Sequence, residues 1–226
     1  MVREYDGSYR NASNNLIEGT GGNDSIVVYA YNSYYHCNSE YVTIQAYKGD
    51  DCIQFASYNP DGPVTVSDNL VYAGSGNDTI YPGGNNSTVY GDAGNDFVYL
   101  SPSVGNLIVG GSGNDTIMAE WGGSSGTLTG GADNDYFMFT ANTSQDSKIN
   151  YVITDLSSGD VIRRIKDSYG HLGGDTDIIC TIEGGNVVIM DDEPNTFKLT
   201  LQGVTDISQD FRQQCKQLQL QLHRRR

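Results

Sequence analysis

The sequence predicts an all-β fold, a right-handed solenoid of stacked parallel strands closed at its C-terminal end by an antiparallel β cap. Three observations predict it. From position 73 to position 99 the chain reads AGSGNDTIY, PGGNNSTVY and GDAGNDFVY, three consecutive blocks of nine, each with a glycine-rich turn before a short strand centred on Ile80, Val89 or Val98. A fixed period of this kind settles architecture before any local propensity does. An aspartate-bearing turn recurs at residues 19–24, 46–51, 73–78, 91–96, 110–115 and 130–135, with spacings of 27, 27, 18, 19 and 20 residues. Two apolar columns keep those same spacings: Ile26, Ile53, Ile80, Val98, Ile117 and Phe137 two places after each aspartate, and Ile17, Ile44, Val71, Val89, Ile108 and Leu128 two places before each turn.

These columns describe a flattened spiral. Side chains alternate faces along a strand, so a three-residue strand sends only its middle residue inward. The two columns therefore face one another across a core one side chain thick. The aspartate turns stack on one edge. The opposite edge carries the degenerate turns, at Asn69, Ser87, Asn106 and Gly126, and absorbs the variation in length through excursions at residues 31–40 and 57–69.

The chemistry belongs to the aspartate edge. Carboxylates repeated once per coil stand only about 5 Å apart if the strands stack as in a sheet, and such a ladder repels itself unless neutralised. Glycine lets backbone carbonyls turn toward a common point. Carboxylates with carbonyls make a hard oxygen cage that suits Ca²⁺, whereas Mg²⁺ demands a tighter octahedron and retained water. No His or Cys stands in the ladder, so zinc and copper lack soft ligands there. One Gly-Asn-Asp segment alone would read as an ordinary turn; six in register do not.

The turns resemble the nonapeptide G-G-x-G-x-D-x-U-x of the RTX, or haemolysin-type calcium-binding, repeat. The nearest copies are GGSGNDTIM at residues 110–118 and AGSGNDTIY at 73–81. The resemblance covers roughly residues 14–140. It implies a parallel β-roll with Ca²⁺ held between successive turns on the aspartate edge. It implies Asp24, Asp51, Asp78, Asp96, Asp115 and Asp135 as carboxylate ligands, with carbonyls from Gly19, Gly22, Gly49, Gly74, Gly76, Gly91, Gly94, Gly110, Gly113 and Gly130. Six turns define five gaps, hence up to five ions. Ala46 and Tyr47 depart from the leading glycines, and Asp133 replaces a later one. The degenerate edge lacks aspartates, so no second calcium column is expected.

Composition agrees. Lys+Arg 13 against Asp+Glu 28 gives a net charge of −15; five Ca²⁺ would add +10 and leave −5. This balance excludes a nucleic-acid binder that works through cationic contacts to phosphate. A hydrophobic content of 37% is low for a compact core, and Gly 28 and Tyr 16 are high.

Along the chain, residues 1–14 form a polar lead-in without the apolar core of a signal peptide, and no apolar run reaches the length needed to span a bilayer. Residues 15–139 form the roll. Residues 31–41 cluster tyrosines with His36 and Cys37; they pad the roll edge or offer a recognition loop for a surface or glycan partner. Gly122-x-Ser124-x-Gly126 has the letters of a nucleophile elbow but lies in a repeat turn, where the strand–turn–helix context of that motif is absent. No H-E-x-x-H occurs, and the histidines are His36, His171 and His223, so this chain is not expected to be itself a serralysin-type zinc protease. Residues 140–206 form the cap, with strand signals at 150–164, 177–190 and 197–204; Asp155, Asp160, Asp191 and Asp192 there could add an ion or be plain surface turns. Residues 207–226, rich in Gln and Arg, read as a disordered or weakly helical tail. The four cysteines lie far apart, and no pairing follows from their count.

The function expected is calcium binding without catalysis, in a module whose folding is coupled to the ion. The resemblance implies a secreted, extracellular protein exported by type I machinery. The alternatives are the C-terminal calcium-binding module of an exoenzyme (protease, lipase or epimerase) or an adhesin-like binding module.

Overall fold

A computed structural model describes residues 2–3, 9–10, 14–31, 39–58, 66–120, 122, 124–141, 149–166, 178–184, 186–191 and 197–204. Residues 32–38 of the tyrosine-rich excursion (with His36 and Cys37), most of the lead-in, Trp121, His171, Asp192 and the tail at 207–226 lie outside the described residues.

Each coil contributes one strand to each of two sheets. The first strands are Leu16–Glu18, Thr43–Gln45, Leu70–Ser75, Thr88–Ala93, Asn106–Ser112, Ser124–Ala132 and Ile149–Ile153; the second strands are Ser25–Tyr31, Cys52–Tyr58, Thr79–Tyr81, Phe97–Leu100, Thr116–Ala119, Tyr136–Ala141 and Val161–Lys166. Second strands build a seven-stranded sheet and first strands most of a ten-stranded one, each in coil order. All of these pairings are parallel, which fits a chain that must travel once round before meeting its neighbour. Among the described residues no helix is long and apolar enough to cross a membrane.

Both apolar columns are in register. Ile53 lies opposite Ile26 and Ile80, Val98 opposite Ile80 and Ile117, and Phe137 opposite Ile117. On the other sheet Ile17, Ile44, Val71, Val89, Ile108 and Leu128 align one above the next. All except Ile17 and Ile26, in the first coil, are buried in one continuous cluster. The first-coil strands stand at the ends of their sheets, paired on one side only, and these two members are only partly covered.

The cap differs from the expectation for residues 140–206. Ile149–Ile153 and Val161–Lys166 pair parallel to the sixth coil, with Leu128 opposite Ile153 and Phe137 opposite Ile162. They form a seventh coil 25 residues on. Antiparallel pairing begins later: Ile178–Glu183 pairs with Asn186–Asp191, which pairs with Phe197–Leu201, and that last strand lies parallel to Ile149–Ile153. Phe139 packs 5.8 Å from Tyr151 and 5.9 Å from Phe197, ring centroid to ring centroid. With Val187, Ile189, Leu199 and Leu201 buried beside them, these rings cover the last coil, which would otherwise expose its core.

The degenerate edge is held by a neutral ladder. Asn69 Oδ1 accepts from the Val42 N–H (2.9 Å), and Asn106 Oδ1 accepts from the Ser87 N–H (2.8 Å). Asn69, Ser87 and Asn106 are buried. They satisfy buried backbone donors without charge. Ser124, in the elbow-like letters, lies in a strand and donates to the Glu120 carbonyl at 2.8 Å, so it is a structural hydroxyl.

Candidate metal centre

The aspartate turns lie between the first and second strands of each coil, all on one edge. Five of them share one backbone form. In turns 46–51, 73–78, 91–96, 110–115 and 130–135 the second and fourth residues have positive φ: Tyr47 and Gly49, Gly74 and Gly76, Asp92 and Gly94, Gly111 and Gly113, Gly131 and Asp133. Turn 19–24 contains no positive φ among its residues, so Gly19, Gly22 and Asp24 share the register but not the form.

This form packs backbone on backbone. At Gly94 (φ 139°) an added Cβ would collide with the Gly76 carbonyl oxygen. Gly94→Ala is therefore expected to cost more than 3 kcal/mol, combining an unfavourable backbone region with a forced separation of coils. Denaturant unfolding in saturating calcium checks it; a loss below 1 kcal/mol would contradict the close approach.

The aspartates form a hydrogen-bonded ladder. Each backbone N–H donates to Oδ1 of the aspartate one coil later: Asp24 to Asp51 (2.7 Å), Asp51 to Asp78 (2.7 Å), Asp78 to Asp96 (2.8 Å), Asp96 to Asp115 (2.8 Å) and Asp115 to Asp135 (2.9 Å). The ladder continues one rung further, from the Asp135 N–H to Asp160 Oδ1 at 2.9 Å. An exposed ladder beside it runs the other way: the N–H groups of Asp50, Asn77, Asn95, Asn114 and Asn134 donate to the side chain one coil earlier, Asn23, Asp50, Asn77, Asn95 and Asn114. The asparagines preceding the aspartates thus have a structural role that the repeat pattern alone did not assign.

The second carboxylate oxygen carries the chemistry. Oδ2 of Asp51, Asp78, Asp96, Asp115 and Asp135 is buried with no hydrogen-bond partner, although these residues are at most 2% exposed. Unpaired buried charge is costly. Burial raises the carboxyl of Asp96 to about 7 and those of Asp78 and Asp115 to about 6, and raises Asp51 and Asp135 as well. The ladder N–H bonds oppose this, and the charged groups acting on all five are other carboxylates. Among the described residues no cationic group acts on them.

Space and donors fit a cation. An added Cβ at Gly91 would meet both Asp96 Oδ2 and the Gly110 carbonyl oxygen, and one at Gly110 would meet both Asp115 Oδ2 and the Gly130 carbonyl oxygen. Asp96 Oδ2 and Asp115 Oδ2 therefore each face a carbonyl of the following turn across a cleft that glycine leaves open. At Ala46 and Ala73 a buried methyl occupies that first position. Among the described residues no three His, Cys, Asp or Glu side chains converge as a metal cluster; the oxygens that approach one another at this edge are carboxylates and backbone carbonyls. Oxygen-only donors of this kind suit Ca²⁺. Cys52 is a free, exposed thiol outside this edge's donor set.

The sequence profile of the RTX calcium-binding nonapeptide repeat matches the chain in four copies, at residues 9–29, 65–89, 72–101 and 105–124. No curated protein matches the chain as a relative. Among solved structures, the AlgE6R3 subunit of the Azotobacter vinelandii mannuronan C5-epimerase is 17% identical, with 84% of this chain and 71% of that one covered and a TM-score of 0.26. The extracellular lipase LipA from Serratia marcescens is 16% identical, with 87% of this chain and 38% of that one covered and a TM-score of 0.19. Likenesses this slight carry no argument about function. The chain thus carries four matches to the RTX calcium-binding repeat, and its turns are stacked in a parallel β-roll.

Proposed function

We propose that this chain is a calcium-binding module whose folding is coupled to the ion, with no catalytic role of its own. The observation that carries the reading is the row of five buried, partnerless carboxylate oxygens. Asp51, Asp78, Asp96, Asp115 and Asp135 would hold Ca²⁺ in the four gaps between their like turns, with carbonyls of the turn glycines completing the shell; Asp24 is the outer rung. A bound Ca²⁺ supplies positive charge and accepts these hard oxygens. The chain's own residues do the rest. Glycines bring the carbonyls close, ladder N–H groups fix each Oδ1, and the thin core of valine and isoleucine supplies apolar burial at roughly 1.5–3 kcal/mol per side chain.

Unanswered, the carboxylates oppose stacking, and the acidic, glycine-rich repeats have little apolar area to set against chain entropy. Binding energy then serves as folding energy. Affinities on the order of 10⁻⁴–10⁻³ M, typical of extracellular calcium modules, would leave the module unfolded at cytosolic calcium and folded outside the cell. That switch suits a secreted protein, which is how RTX proteins typically occur. Equilibrium dialysis of the full chain at about 5 mM calcium tests the reading: several ions per chain are expected, and none bound would refute it.

A further inference from the structure

We infer that the ion column runs one step past the recognisable repeats, with a cation site between Asp135 and the turn at residues 155–160, held by Asp135 and Asp160. The inference rests on the calcium reading of the inner turns and extends it to a turn that has no G-G-x-G-x-D pattern.

The turn at 155–160 occupies the repeat register. Its flanking residues Ile153 and Ile162 continue the two core columns, and Asp160, 2% exposed, is the seventh rung of the ladder through its bond from the Asp135 N–H. The direction of the orphaned oxygens locates the site. In turns 91–96 and 110–115, Oδ2 faces a carbonyl of the following turn. Asp135 Oδ2, partnerless in a residue 1% exposed, holds the same register, and an added Cβ at Gly130 would meet its own Asp135 side chain first. The charged groups acting on Asp135 are Asp160 first, then Asp155 and Asp133.

The ligand set differs from the inner gaps. The first position of this turn is Asp155 where the preceding turn has Gly130. Asp155 Oδ1 accepts from the Gly130 N–H (3.0 Å) and Oδ2 from the Gly131 N–H (2.7 Å). Asp155 thus ties the turn to its neighbour and adds negative charge beside the gap. Asp160 Oδ2 accepts from the Ser157 N–H at 2.6 Å, which holds the carboxylate in place; an ionised carboxylate still has lone pairs for a cation.

At the other end an added Cβ at Gly19 would also meet Asp24 Oδ2 and the Ala46 carbonyl oxygen, but there the carboxylate oxygen is already partnered within its own turn. Asp24 Oδ2 accepts from the Thr20 N–H at 2.6 Å, and the Thr20 hydroxyl lies 3.1 Å from the same oxygen. Asp24 is absent from the partnerless carboxylates. The column is therefore shifted: its outermost cation lies at the C-terminal end, between Asp135 and Asp160, and not between Asp24 and Asp51.

Counting bound calcium by equilibrium dialysis of the full chain tests this, with far-UV circular dichroism confirming the fold at saturation. The wild type is expected to bind one ion more than Asp160→Asn, and Asp24→Asn is expected to keep the wild-type count. Asp155→Asn leaves both hydrogen bonds of Asp160 in place and serves if Asp160→Asn fails to fold; it is expected to weaken a single ion about tenfold, the effect of one charge at short range in a water-like dielectric. Unchanged counts in Asp160→Asn with unchanged affinity in Asp155→Asn would overturn the inference alone. Loss of an ion in Asp24→Asn would also overturn it. A wild type that binds no calcium would instead overturn the calcium reading on which it stands.

Discussion

Replacing Asp78 and Asp96 together by asparagine is expected to raise the calcium concentration at half-folding at least tenfold. The two residues bound one gap, joined by the bond from the Asp78 N–H to Asp96 Oδ1. Asparagine keeps an oxygen for the ladder N–H but sets an amide NH₂ where the partnerless Oδ2 stands. The gap then loses both charges and gains donors that repel a cation. Because ion binding to the folded form is linked to stability by mass action, each tenfold loss of affinity at one site removes about 1.4 kcal/mol of calcium-dependent stability. Neighbouring gaps share these aspartates, so the loss spreads beyond one ion. Circular dichroism at several calcium concentrations reads the midpoint. A double variant that titrates like the wild type would remove these carboxylates from the binding edge.

The second large effect is on pH, and its sign is opposite to that of an ordinary salt-bridged carboxylate. Burial raises Asp78 and Asp115 to about 6 and Asp96 to about 7 in the folded chain, against an unfolded value near 4. A group raised on folding gives stability that is fully present below its unfolded value and lost as pH rises through its folded value. In chelator this contribution should therefore be fully present below about pH 4 and be lost between about pH 4 and 7. At about 1.4 kcal/mol per tenfold change in proton affinity, each of the three carboxyls accounts for on the order of 3 kcal/mol. Calcium requires the same groups deprotonated, so its stabilising effect should grow over the same window. Thermal unfolding at pH 4 and pH 8, with chelator and with calcium, measures both effects. A chelated protein that becomes more stable toward pH 8 would contradict the buried, unpaired ladder.

Much of this was legible in the sequence because coils repeat the same constraint. The twelve apolar positions from Ile17 to Phe137 and the aspartates from Asp24 to Asp135 fall in register, since a side chain either points into a one-residue core or it does not. The seventh coil escaped because Asp155, Leu156, Ser157 and Ser158 stand where glycines mark the other turns. Its signal was positional: Asp160 follows Asp135 by 25 residues, with Ile153 and Ile162 in the two columns. Turn 19–24 shows the reverse case. Its letters, GTGGND, fit the pattern well, yet no residue in it has positive φ, and Thr20 binds the aspartate that a cation would need. Ladder direction, and hence which gap each Oδ2 serves, depends on three-dimensional orientation that spacing does not encode. The Asn ladder from Asn23 to Asn134 was hidden for another reason: its residues are exposed, and exposed asparagine in a turn has many uses.

Far-UV circular dichroism of the purified chain during a calcium titration, with magnesium as control, tests the central claim most directly. A cooperative transition from coil to β structure is expected in calcium and not in magnesium, because the carbonyl-rich clefts suit the larger, more flexibly coordinated ion. A chain already folded in chelator, and unchanged by calcium, would contradict the account: the aspartate turns would then stack without an ion.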